Sequence, residues 1–368
     1  MEKVRAFLAR KNITFSAKRY FIDAMSAMAQ GLFCTLLVGT ILDTIGKQFG
    51  IGFLTDTFLT IKQGDVTFYY TIGGFCSLMV GPAMAVAIGK ALEAPPLVLF
   101  SLITVGFATN VLGGTGGPLA VFFVAILAAE VGKAISKETK IDILVTPVVT
   151  ILAGIGFAVL VARPIGTAAT SVGNAIKWAT ELQPFFMGIL VSVIIGVALT
   201  LPISSAAICA SLNLTGLAGG AAVAGCCAQM VGFAVMSFRE NRWGGLVAQG
   251  IGTSMLQMGN IVRNPRVWIP PTLASAITGP LATCLFHLEM NGPAISSGMG
   301  TCGLVGQIGV YTGWVNDIAA GTKAAITGMD WLGLVLISFV LPAVLTWLIA
   351  IPLRKWGWIK DGDLKLDL

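Results

Sequence analysis

The sequence predicts an all-α, polytopic integral membrane protein of about eight to ten transmembrane helices, with re-entrant hairpins and a possible internal repeat. Three observations carry that prediction. Hydrophobic residues make up 56% of the chain and charged residues only 11%, where a soluble domain carries about 25% charged residues. The mean hydropathy is +0.87, and runs such as 141–162, 184–201 and 331–351 approach the roughly 20 apolar residues that cross a bilayer. Glycine is abundant, at 45 of 368 residues. In a membrane that serves either close helix packing or broken helices around a polar site.

The chain opens on a basic segment, residues 1–19, in which Lys3, Arg5, Arg10, Lys11, Lys18 and Arg19 precede the first apolar run. No signal-peptide pattern is present, so the cations predict a cytoplasmic N-terminus. The transmembrane domain is expected over 20–353. Residues 354–368, with Arg354, Lys355 and Lys360, are expected as a tail on the same side, which makes the number of crossings even. The net charge of +6 follows from these flanks and gives no support for nucleic-acid binding.

The first span is expected at 20–45, with Asp23 at its start and Asp43 near its end. Residues 51–63 are too short to cross and read as an interfacial or re-entrant helix. The run 66–92 carries Gly73-Gly74 and Gly81-Pro82, which predict a kink. Next come 97–112 and 119–134, flanking GGTGGP at 113–118: either two spans joined by a tight turn, or two half-helices meeting inside the membrane. Lys133, Lys137 and Lys140 place the end of that unit in the cytoplasm. A span at 141–162 is followed by 164–182, whose Asn174, Lys177 and Glu181 fit a surface-lying helix.

The second half repeats the theme. Residues 184–201 span, Pro202 breaks, and 204–213 is too short to cross alone. Residues 216–238 span, and Arg239 and Arg242 mark their end. Then follow 245–259, the polar 260–268, 271–290, the Asn-Gly-Pro break, 294–310 and the final span. GPAMAVAIGKAL (81–92) is similar to LPISSAAICASL (201–212), sharing the proline and the Ala-Ile and Leu positions. An offset of about 120 residues would make an internal duplication, the architecture of many transporters.

Several chemistries are excluded. No G-x-x-x-x-G-K-[ST] loop is present, and the one histidine cannot form a metalloprotease pair. The seven cysteines sit in or beside apolar runs without paired spacing, so they read as buried small hydrophobes. Neither a metal, a cofactor nor catalysis by this chain is expected. What remains is a set of polar residues beside glycine and proline breaks. Asn110 precedes the GGTGGP loop and Thr115 lies within it, Gln257 and Asn260 form a group with Gln249, and His287, Glu289, Asn291 and Ser296 surround the Asn-Gly-Pro break. An acid at membrane depth costs at least about 2.5–3.5 kcal/mol and usually faces a cavity or a partner, which makes Glu289 the foremost candidate; the alternative is an interfacial turn. The groups are mostly neutral amides and hydroxyls, with one carboxylate and one imidazole. That mixture suits a sugar or polyol better than an ion. Trp268, Tyr311 and Trp314 add aromatic surface nearby.

Four stretches together, YFIDAMSAMAQGLFCTLLVGTILDTIG (20–46), GGTGGP, VRNPRVWIPP (262–271) and HLEMNGPAISSGMGTCGLVGQIG (287–309), resemble membrane IIC components of the bacterial sugar phosphotransferase system. The resemblance covers about 15–355 and falls in the divergent branch that includes perfringolysin O regulatory protein-like proteins. It implies a cytoplasmic-membrane permease that binds a sugar and moves it inward, as a homodimer, for phosphorylation by a separate IIB protein. In better-known members a His and a Glu near a re-entrant hairpin contact the sugar hydroxyls, within a G-I-T-E-like motif that this sequence lacks; HLEMNGP stands as its analogue. Two other readings stay open: a membrane sensor or regulator that lost phosphoryl coupling, and an ion-coupled carrier of a non-sugar solute with Glu289 or Asp23 as the proton site.

Overall fold

The computed structural model describes residues 2–63, 66–180 and 182–366, in two compact units that divide between Ala169 and Thr170. It is helical nearly throughout. Among the described residues six helices are long and apolar enough to cross a membrane, or seven when one bent pair is taken as a single span. The count is lower than the eight to ten expected because two runs fall short. Pro184–Thr200 has only 17 residues, and the run from Ile269 is interrupted by Pro280 and a π turn at Leu281–Leu285.

In the first unit, α1 (Glu2–Arg10) precedes the long span α2 (Lys18–Gly46). Residues 51–63, expected to be helical, hold only the single turn Gly52–Thr55. The chain then forms a hairpin of β1 (Leu59–Gln63) and β2 (Val66–Tyr70), with Leu59 opposite Tyr70 and Gln63 opposite Val66. The run Val-Thr-Phe-Tyr-Tyr is β-branched and aromatic, and such residues fit a pleated ribbon better than a helix start. Thr71 then caps α3 (Ile72–Leu78), accepting from the Gly74 amide at 3.1 Å while its hydroxyl donates to Asp43 Oδ1 at 2.8 Å. The expected kink lies between α3 and α4 (Val80–Ala91), which are bent by 49°.

The GGTGGP loop joins two full-length helices, α5 (Pro96–Gly113) and α6 (Gly117–Ile135). The tight-turn alternative therefore holds, with Gly114 at φ +53°. α7 runs unbroken from Asp142 to Thr180, through Pro164. The separate amphipathic helix expected from 164 is thus a continuation of the preceding span. The side chains of Asn174 and Lys177, and all of Glu181, lie outside the described residues. At the lysine-rich end of this unit the buried Lys133 ammonium donates to Asn12 O at 2.8 Å and Leu92 O at 3.0 Å, and pairs with Glu130 at 3.0 Å.

The second unit is built around α10 (Gly216–Met236), buried along nearly its whole length. Before it come α8 (Pro184–Thr200) and the short α9 (Ser205–Ser211). After it the chain dips and returns: α11 (Phe238–Val247), a π turn, a 3-10 turn at Ser254–Gln257 and α12 (Met258–Arg263). α13 (Ile269–Pro280) then runs back along α10. From the end where α10 begins, residues 291–304 descend through 3-10 turns at Ala294–Gly298 and Cys302–Leu304, and α14 (Val305–Ala319) climbs back. The tip of this hairpin reaches the middle of α10, since a Cβ on Gly300 would lie 2.6 Å from that of Cys226. There Thr301 Oγ1 donates to Gly250 O at 2.5 Å, joining the hairpin to the segment that dips from the opposite end. α15 (Gly328–Lys355) completes the unit. All seven cysteines are free.

The two similar stretches end in the same kind of turn, one that also closes helices at Asn12, Gly321 and Gly357 and so does not by itself mark a repeat. After α4, Leu92, Glu93 and Ala94 donate their amides to Ile88, Lys90 and Gly89; after α9, Leu212, Asn213 and Leu214 donate to Ile208, Ala210 and Cys209. Glu93 has φ +55° and Asn213 φ +48°. Both turns are left-handed helix caps of the Schellman type, and they match residue for residue.

Candidate functional site

α13 gives way through the π turn to His287, which is held at φ +42° and turns the chain into an extended stretch. Gly216 at the start of α10, itself at φ +64°, pairs with Met290 as an antiparallel bridge through N–O bonds of 3.1 and 3.0 Å. An extended chain alternates its side chains. Leu288 and Met290 therefore fill the core, 3% and 0% exposed, while His287 and Glu289 face outward. Gly220 lets this stretch press on α10, since a Cβ there would lie 1.7 Å from Leu288 O. The spacing of the polar residues in HLEMN is the pattern of one strand face.

That face lines an open cavity of about 430 Å³. Asn291 organises its rim: Nδ2 donates to Asp317 Oδ2 at 2.9 Å and Glu289 Oε2 at 3.1 Å, and Oδ1 accepts from the Gly216 amide at 3.1 Å. Across from it Lys323 pairs with Asp330 at 2.8 Å. Asp330 also accepts from the amide and hydroxyl of Thr327, both at 2.7 Å, in a capping box that starts α15. Phe286, Trp314 and Thr322 complete the lining. Three carboxylates, an ammonium, an imidazole and an amide thus present both donors and acceptors beside aromatic carbon. Such a mixture binds vicinal hydroxyls. Among the described residues no group of His, Cys, Asp or Glu has metal-site geometry.

Of the eight candidates from the sequence, the cavity brings together His287, Glu289 and Asn291. Ser296 is buried within the hairpin against Gly309. Gln257 and Asn260 lie near the opposite end of α10, hydrogen-bonded to the segment after α15. That end is about 30 Å away at 1.5 Å per helical residue. Asn110 belongs to the first unit, where its side chain packs against the glycine faces of Gly81 and Gly117. Thr115 is in the turn after α5, and its side chain lies outside those described. Asp23, the other acid considered, is exposed on α2. Asp317, Thr322, Lys323 and Asp330 were not legible as site residues. The one available signal was the Thr327-x-x-Asp330 capping pattern.

A polar belt also crosses the interior at the hairpin tips. Gln229, on α10, accepts from Trp268 Nε1 at 2.8 Å and from Thr200 Oγ1 at 3.3 Å, and Thr200 bonds Ser254 at 2.8 Å. Irregular backbone at such depth is tolerated only inside protein or beside a cavity. Apolar spanning helices with broken segments entering from both ends of one unit define a polytopic membrane protein, an architecture shared by many transporters. Residues 22–366 match the family model described as Phosphotransferase system, EIIC. The chain belongs to that family, and so is a membrane component of sugar transport. No curated protein and no solved structure matches it.

Proposed function

We propose that the chain is a permease that takes a sugar or related hydroxylated solute into the cavity around Glu289 and hands it to a separate IIB protein for phosphorylation. The observation that carries this is the convergence of Glu289, His287 and Asn291 with Asp317 and Lys323 on one polar cavity. The charge distribution supports an orientation. In the second unit Arg239, Arg263, Arg354 and Lys355 gather where α10 and α15 end, partly paired with Glu240 and Asp361, while Lys323 lies where they begin. The excess of cations on cytoplasmic loops then turns the cavity outward. In the first unit Arg10, Lys11 and Lys137 mark the cytoplasmic end by the same rule. The bilayer is the bacterial cytoplasmic membrane and the assembly a homodimer, as the resemblance implies. This chain carries the solute; its partner supplies the phosphoryl group.

The test is binding of a sugar panel to purified protein, read as a thermal shift and then by calorimetry. Glu289→Gln should weaken the sugar that binds best at least about tenfold, the loss of one charge-assisted hydrogen bond. Unchanged affinity in that variant would remove Glu289 from the site. A second reading takes Glu289 and Asp317, the two acids that meet at the Asn291 amide, as the ion-coupling pair of a carrier. Uptake into proteoliposomes under an imposed pH gradient, without any IIB protein, would establish that reading; uptake only with IIB would discard it.

A further inference from the structure

After α15 the chain does not leave the protein. Gly357, at φ +71°, reverses it, and Trp358 N bonds back to Leu353 O at 2.9 Å. Residues 358–366 then lie in a groove of the second unit, with Ile359 and Leu364 only 2% and 0% exposed. The groove holds them through carboxamides. Asn241 bonds this segment in both directions, donating from Nδ2 to Leu364 O at 2.8 Å and accepting at Oδ1 from the Leu366 amide at 2.8 Å. Gln257 Nε2 donates to Leu364 O at 3.0 Å and Asn260 Nδ2 to Lys365 O at 2.9 Å. Behind them Gln257 also donates to Gln249 Oε1 at 2.9 Å, and Asn260 to Gln257 Oε1 at 2.7 Å.

We infer that residues 358–366 are a releasable strap over a second hydroxyl-binding site, formed by Asn241, Gln257 and Asn260 at the basic end of the second unit. The inference rests on the reading of the chain as a sugar carrier, and it places the inner station of that path. These three carboxamides engage main-chain carbonyl and amide groups, and a sugar hydroxyl, both donor and acceptor, can take the place of either. Gln249, Gln257 and Asn260 are buried, and a buried amide stripped of its partner is costly. The strap is therefore stable over an empty site, and a ligand that satisfies the same amides lowers the cost of lifting it. Outside the site it has further ties, besides the buried Ile359 and Leu364. They are the Arg354–Asp361 pair, whose acid is 93% exposed, Arg266 stacked 5.3 Å over Trp358, and Asn264, which bonds Trp358 O and Asp363.

The test uses the full chain with the two exposed cysteines replaced (Cys34→Ser, Cys284→Ser) and Leu364→Cys as reporter. A charged maleimide should label Leu364→Cys at least about a hundredfold more slowly than Asp361→Cys, and adding Asn241→Ala or Asn260→Ala should raise the rate about tenfold or more. Hydrogen exchange of 358–366 in the unsubstituted protein guards against a folding defect of the reporter and should show the same protection. Glucose, N-acetylglucosamine and mannitol are then added in turn. The one that raises the melting temperature should also speed labelling. Equal labelling of the two reporters together with fast exchange would overturn the strap. Labelling unmoved by all three solutes would overturn the hydroxyl site beneath it. Labelling that responds to solute while Glu289→Gln binds sugar normally would sink the outer site and leave the strap standing.

Discussion

Asn291 and Asp317 lie 26 residues apart in the chain and meet at 2.9 Å, and the same amide nitrogen reaches Glu289 at 3.1 Å. One side chain thus ties the extended stretch, the start of α10 and the last turn of α14 into a single rim. Asn291→Leu removes those bonds and leaves two carboxylates facing each other. A loss of about 1.5–3 kcal/mol is expected, the range for hydrogen bonds to charged groups. Thermal melting of the detergent-solubilised protein measures it, and Asn291→Asp should melt lower still.

His287 offers a prediction with two signs. Its φ of +42° costs an L-residue about 1–2 kcal/mol, while glycine in its place gives back about 0.5–1 kcal/mol through chain entropy. His287→Gly should therefore melt at or slightly above the parent temperature. If the imidazole meets the solute, the same variant binds sugar more weakly. A fall in both stability and affinity would mean that the side chain is structural.

Two glycines should respond in opposite ways to alanine. A Cβ on Gly225 would lie 1.8 Å from Ser192 O, where α8 crosses α10, whereas nothing lies within 4 Å of one on Gly156. Gly225→Ala forces the helices apart, with a loss of about 3 kcal/mol or more. Gly156→Ala should be neutral or stabilise by up to about 1 kcal/mol, the difference in helix propensity. Yield of monodisperse protein and its melting temperature separate the two.

The N-terminal segment should respond to acid. Glu138 pairs with Lys11 and, at 2.7 Å, with Arg10, and these contacts, the Lys11 hydrogen bond first, hold its carboxyl below the ordinary value of 4.5. A depressed folded value means that the stabilisation is present above 4.5 and is lost as pH falls through the folded value. Hydrogen exchange of residues 2–13, corrected for intrinsic rates, should rise only in that acid window. In Glu138→Gln it should be fast at every pH.

Much of this arrangement was legible from local pattern. Most of the spans follow from apolar runs and their breaks, GGTGGP was one of two alternatives there, and HLEMN stood out as polar residues beside a break. Most of what escaped depends on contacts distant in sequence. Asp317, Lys323 and Asp330 join the site because α14 and α15 bring their ends to the same rim, and no periodicity records that. Gln249, Gln257 and Asn260 were rightly grouped, but their partner is a segment a hundred residues further on. The β-hairpin was hidden because Val66–Tyr70 is apolar enough to pass for the start of a span, although its β-branched and aromatic residues signalled a strand.

The matched caps at Glu93 and Asn213 bear on how the chain is made. Every hydrogen bond within them joins residues no more than five positions apart. Each turn can therefore close on a nascent chain before any distant helix has been synthesised. The polar groups that a helix end exposes are already paired when the flanking segments reach the lipid. Glu93→Pro or Asn213→Pro would strike at membrane insertion rather than transport, and the defect would show during synthesis, ahead of any assay of the finished protein.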